Sequence, residues 1–129
     1  MLKFVIRDPV FGSKLTFMAN IEYGDVCDIV NKKHKTDYEP SNEDAAAHMR
    51  YQNSHYIWVK KIDRINPKLT GTLAHEIDHL VSSVLDYVGV EHSNDETDET
   101  AAYLDGFYTE EIYRKIGKIF PPDLGYPIV

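Results

Sequence analysis

The spacing of apolar and polar positions predicts β segments early in the chain and two long helices after residue 70. Residues 2–7, LKFVIR, and 14–19, KLTFMA, are rich in β-formers. Asp8-Pro9 and Gly12 lie between them and supply turn chemistry, so residues 1–22 read as a hairpin. Residues 23–34 carry Val26, Ile29 and Val30 at helical spacing. Pro40 then breaks the chain. Ser41 and Asp44 match a capping box with Asp in place of Glu, so the AAAHMRY segment reads as a short helix or a loop. Residues 55–62, HYIWVKKI, read as a strand, ended by Asn66-Pro67.

The helical pattern is clearest downstream. Over residues 71–88, Leu73, Ile77, Leu80, Val81, Val84 and Val88 form one apolar stripe; Thr70 or Thr72 can cap its start, and Gly89 follows its end. A second helix is expected over 94–118. Ser93 and Glu96 match a capping box, Asp95 and Glu96 suit the positive end, and Arg114, Lys115 and Lys118 suit the negative end. Residues 120–129 read as a Pro-rich extended tail, with PPDLGYPIV from Pro121 onward.

The 129 residues make one domain's worth of chain, and 43% hydrophobic with 27% charged content excludes disordered and fibrous classes. Cys27 is the lone cysteine, so no intrachain disulfide forms, which fits a reducing compartment. No stretch reaches the roughly 18 apolar residues of a membrane span. The expectation is a soluble, cytoplasmic protein with no membrane partner. Charge is uneven: residues 1–72 hold 11 Lys and Arg against 9 Asp and Glu, while residues 73–129 hold 3 against 12. An acidic half repels nucleic acid and attracts cations.

That acidic half contains the chemistry. LAHEIDHLV, residues 73–81, places His75, Glu76 and His79 in the order H-E-x-x-H. Two His four residues apart share a helix face and can grip one metal ion. Here that face is opposite the apolar stripe. Glu76 sits about a quarter turn away, placed to take a proton from water beside the ion. A catalytic zinc takes three protein ligands as a rule. The extended pattern with a third His fails, because Ser82 and Leu85 occupy the required Gly and His positions. Among the carboxylates of residues 95–99, Asp95 and Glu96 have capping roles. Glu99 shares a face with Ala102, Tyr103 and Gly106, small enough in part for two helices to approach. His92 is a second candidate ligand.

H-E-x-x-H followed by a separate Glu-bearing helix resembles the gluzincins, the thermolysin-like metallopeptidases. The 19 residues between His79 and Glu99 match the separation in that family. The short chain and the segment Glu99, Ala102, Tyr103, Leu104 also resemble minigluzincins and small phage-encoded zincin-like proteins. The resemblance covers residues 55–117. It implies an α+β fold with a minimal zincin-like core: a small antiparallel or mixed sheet packed on the H-E-x-x-H helix and the following Glu helix. It implies Zn2+ held by His75, His79 and Glu99, with Glu76 as general base for hydrolysis of a peptide bond in a peptide or protein substrate. It makes 55–62 the edge strand that pairs with substrate, and places a phage-encoded protein in the host cytoplasm. Where the family carries an Asp four residues after the ligand Glu, this chain has Tyr103, expected to bond an imidazole or reach the cleft, and so a catalytic candidate with Glu76. No stretch of these 129 residues resembles the large second domain that completes a thermolysin cleft. The alternative is a weak or inactive zincin-fold binding protein that uses zinc structurally and acts on a host or partner protein. In minigluzincins C-terminal segments can lie in the cleft, a role open to the tail here. His55 or Tyr56 is a candidate donor to a developing oxyanion, and His34, His48 and His55 are otherwise expected at the surface.

Overall fold

The computed structural model describes residues 1–39, 45–90 and 95–122. It is an α+β domain with a four-stranded mixed sheet and three helices. Strand β1 (Leu2–Arg7) and strand β2 (Lys14–Ala19) form an antiparallel hairpin. Helix α1 (Tyr23–His34) follows, then strands β3 (Ala46–Tyr51) and β4 (Ser54–Val59), a second antiparallel hairpin. The two hairpins join through a parallel β2–β4 pairing, giving the order β1-β2-β4-β3. Helices α2 (Pro67–Val88) and α3 (Asp95–Gly117) complete the chain.

Alternation along the strands sorts side chains to two faces. Leu15, Phe17, Ile57 and Val59 meet Leu73, Ile77, Leu80 and Val84 of α2 and Leu104, Tyr108, Ile112 and Ile116 of α3. On the other face, Met18, Met49, Tyr56 and Trp58 enclose Val26, Cys27 and Val30 of α1. The sheet is therefore a middle layer between one helix and two. Trp58 belongs to this second core, where its indole N–H donates to the Ile21 carbonyl at 2.7 Å.

Three expectations are corrected. Strand 55–62 is not an edge: β4 pairs with β2 on one side and β3 on the other, and β3 and β1 are the sheet's two edge strands. AAHMRY is that strand rather than a helix or a loop. Its Ala47 and Met49 point into the α1 core while His48 and Arg50 share the opposite face with Ile57 and His55. Pairing with β4 overrides the helix propensity of the two alanines. Helix α2 starts four residues early. Asn66 caps it, accepting from the Leu69 N–H at 2.9 Å, with Pro67 in the first turn where its missing N–H costs nothing. Gly89 closes it in the left-handed conformation, φ 78°. The Ser41–Asp44 capping box, His92, Ser93 and residues 123–129 of the tail lie outside the described residues. Pro121 and Pro122 run beside Ile65, whose N–H donates to the Pro121 carbonyl at 2.9 Å. Among the described residues no helix is long and apolar enough to cross a membrane.

Asp8 ties the first hairpin to α3. It is buried, and its carboxylate accepts from the Val10, Phe11 and Ser13 N–H groups at 3.0, 2.6 and 2.9 Å. The Tyr108 hydroxyl donates to the same carboxylate at 3.2 Å. Burial and the neighbouring Asp8 charge push the Tyr108 phenol far above its ordinary range, so it remains a donor. Replacing Asp8 with Ala strands these donors. Asp8→Ala is expected to lower unfolding free energy by roughly 2–4 kcal/mol in urea titrations at pH 7. A loss below the resolution of that titration would remove Asp8 from its structural role.

Candidate functional site

Burial of the α2 stripe fixes the helix's rotation and leaves a second set of side chains on its other side, where His79, Ser82, Ser83 and Asp86 border His48 and Arg50 of β3. At 100° per residue, Lys68, Thr72, His75, Glu76, His79, Ser82, Ser83 and Asp86 fall within a sector of about 120°. The imidazoles of His75 and His79 come together, with their Nε2 atoms 3.1 Å apart and their rings edge to face. His75 is largely exposed, and its Nε2 lies 4.0 Å from Glu76 Oε1. Glu76 stands at the border of this sector and the apolar stripe and is only 6% exposed. The other two acids of α2, Asp78 and Asp86, face solvent. An acid drawn into the protein beside two convergent imidazoles is an unusual placement for a glutamate.

Beyond His79 the space between α2 and β3 opens into a cavity of about 520 Å³, lined by His48, Arg50, His79, Ser82, Ser83 and Asp86. Arg50 is held in place. Its Nη1 donates to the Ser83 carbonyl at 3.1 Å and lies 3.6 Å from Asp86, and its guanidinium sits over the Tyr87 ring. His48 stacks on His55 with ring centres 5.8 Å apart. His55 is fully buried, and its Nε2 faces Asn53 Oδ1 at 3.3 Å, so Nε2 carries the proton and Nδ1 a lone pair. His48 Nε2 and His55 Nδ1 are both buried without a hydrogen-bond partner among the described residues. Desolvation, with positive neighbours, lowers both imidazoles to about 4: His79 and Arg50 act on His48, and His48 and Arg50 on His55. Both are neutral at pH 7.

These two histidines are not at the surface as the sequence suggested; the alternation in AHMRY is the signal that could place His48, and the apolar run HYIWV that could place His55. Neither oxyanion candidate is available in the proposed role. His55 lies under the sheet's α2 face, and Tyr56 points the other way, where its hydroxyl meets His34 Nε2 at 2.5 Å.

Glu99 and Tyr103 are not brought to the histidine pair. Helix α3 packs through Leu104, Tyr108, Ile112 and Ile116, and Glu99 falls roughly 160° from the centre of that stripe, exposed. Tyr103 is 49% exposed; its ring stacks on Phe107, and no hydrogen bond joins it to either imidazole among the described residues. The expectation that Ala102 and Gly106 let the helices approach closely is also corrected: both are exposed, and a Cβ on Gly106 would meet nothing within 4 Å.

The donors fit a divalent cation in part. Two ligand nitrogens in one tetrahedral zinc shell stand roughly 3.3 Å apart, given zinc–nitrogen bonds of about 2.0–2.1 Å. The 3.1 Å pair has that separation. Among the described residues no group of three His, Cys, Asp or Glu side chains is assembled. Compared with protein-family models, curated proteins and solved structures, the chain matches none.

The depressed imidazoles make stability pH-dependent. Unfolding returns His48 and His55 to ordinary values near 6.5, so the unfolded chain binds more protons between about 4 and 6.5. Their contribution is full above 6.5 and is lost as pH falls toward 4, by roughly 1–3 kcal/mol apiece. Denaturant titrations of metal-free protein at pH 7 and 4.5 are expected to show this loss. His55→Gln should flatten the dependence, and an equal slope in that variant would assign the effect to other groups.

Proposed function

We propose that the protein is a zinc-dependent metallopeptidase-like protein of zincin type, with His75 and His79 as metal ligands and Glu76 as general base. The observation that supports this most directly is the convergence of the two Nε2 atoms beside a buried glutamate. A zinc ion there would be held by His75 and His79 and would supply Lewis acidity and water activation. Glu76 accepts the proton of the attacking water and later delivers it to the leaving amine nitrogen. Its burial keeps that carboxylate out of bulk water and within reach of the pair. The extended substrate adds to β3, which among the described residues pairs on one side only. His48, Arg50 and Ser82 then line the wall and floor beside the reacting bond.

Glu99 is the third donor in this reading, on the strength of its separation from His79. Its solvent-side position requires the start of α3 to turn toward the pair when the ion binds. The same position favours a second reading, in which the fold binds a partner protein and turns over slowly or not at all, with zinc in a structural role.

Elemental analysis with a peptide-cleavage assay separates these readings. Glu76→Gln is expected to keep one zinc per chain and to lose cleavage by about 10²–10⁴-fold. His79→Ala is expected to lose the metal. Zinc bound by the wild type without any cleavage selects the binding protein, and wild-type protein without zinc removes both readings. For the third donor, Glu99→Ala should weaken zinc binding at least tenfold in competition with a chelator. Unchanged affinity would move the ligand to another residue.

A further inference from the structure

A second pocket lies toward the start of α2, near the residue that precedes β3. It is a pocket of about 300 Å³ whose lining includes Lys60, Lys61, Arg64, Lys68, Asp63 and Thr72. Among the described residues, four cations against one acid is a sharp local reversal in a chain whose net charge is −7. All four cationic residues are exposed, and none is ion-paired among the described residues. The backbone explains how they gather. The Asn20 side chain holds the turn after β4 through the Ile62 N–H and carbonyl, at 2.7 and 3.2 Å. Asn66 then caps α2 and sends Lys68 back over the same turn.

This pocket and the cavity beyond His79 border the same helix and edge strand at different heights. The pocket takes in Ala45, just before β3, and Thr72 of α2, whereas the cavity beyond His79 takes in His48 and Arg50 with Ser82 and Asp86. Helix and edge strand therefore advance in the same direction, with the histidine pair between the two chambers. From Lys68 to His75 is seven residues of helix, about 10 Å. An extended chain covers that distance in about three residues at roughly 3.3 Å each.

We propose that this pocket is a carboxylate subsite: it binds an acidic residue of a peptide lying along β3, about three residues from the bond held at His75 and His79. The choice of a peptide rests on the metallopeptidase-like reading. The choice of an anion rests on the four cations alone. A single carboxylate fits a small recess better than a polyanion does, because the acidic remainder of the chain repels an extended row of phosphates. The subsite would give the protein a preference for Asp or Glu at one position, whether an internal side chain or a terminal carboxylate.

The test reads binding rather than turnover, so it stands apart from the outcome for zinc chemistry. Two ten-residue peptides differing only in one central Glu or Gln are titrated into the full-length protein, with and without zinc, following the amide resonances of residues 60–72. The Glu peptide is expected to bind at least about tenfold tighter and to lose that advantage in 0.5 M salt. A third peptide, with Gln inside and a free terminal carboxylate at the same spacing, distinguishes a terminal from an internal acid. The variant Lys61→Gln/Arg64→Gln/Lys68→Gln should abolish the Glu preference while keeping melting temperature and zinc content. Equal affinity for the Glu and Gln peptides would overturn the proposal, as would a preference that survives in the triple variant. Displacement of the Glu peptide by inorganic phosphate or a short oligonucleotide at lower concentration than by free glutamate would make it a phosphate site and overturn it equally. Zinc-free protein that keeps the Glu preference would leave the subsite standing and count only against the metal.

Discussion

The seat of α2 on the sheet is the contact on which the rest depends. Leu73, Ile77, Leu80 and Val84 press on Phe17, Ile57 and their neighbours, and a helix so held has one rotation about its axis. That rotation decides what the opposite side of α2 offers. It brings two imidazoles to one point, draws Glu76 to the edge of the core and spreads Lys68 to Asp86 along a groove. A rotation of 100° would bury a histidine and expose a leucine, and both errors cost free energy. Packing sets the rotation of the helix, and the 3.1 Å contact between the two Nε2 atoms then joins the pair.

The edge strand completes the groove at a cost to the fold. His48 and His55 sit on the strand face that meets α2, where aliphatic side chains would pack without penalty. Each instead leaves a ring nitrogen without a bond among the described residues, and each is held neutral by desolvation. Polar groups buried this way are expensive and are most readily understood beside a site that uses them. Arg50 is the counterpart, a cation anchored by a backbone carbonyl, a carboxylate and an aromatic face at the mouth of the same cavity.

Much of this could be read from the residues. The hairpin turn at Asp8-Pro9, the stripe of α2 and the shared face of His75 and His79 all follow from local periodicity, and all concern neighbours in sequence. What could not be read depends on neighbours in space. AAHMRY carries a two-residue alternation, but its alanines and the preceding Ser41 and Asp44 speak for a helix, and only β4 decides the matter. Whether HYIWVKKI is an edge depends on a partner strand from elsewhere in the chain. Glu99 was assigned from its spacing to His79 and the small residues beside it, yet the side it presents is set by which of two stripes on α3 is more apolar. Leu104, Tyr108, Ile112 and Ile116 win that comparison over Ala102 and Gly106. The basic recess is not legible in the sequence, because Lys60, Lys61, Arg64 and Lys68 look like ordinary solvated charges until a turn and a helix cap fold them together.

The sheet is two local hairpins zipped along one distant seam, and this orders the events of folding. Each hairpin closes a short loop and forms on the microsecond scale of such elements, about 1–10 μs. The β2–β4 seam joins Phe17 to Ile57 across all of α1 and β3, so its loop entropy is spent before its contacts return anything. The seam is thus the natural bottleneck, and α2 has no floor to settle on until it closes. Without that seam hairpins and helices have no common surface between them, so the groove depends on a pairing between residues some 40 positions apart in the chain.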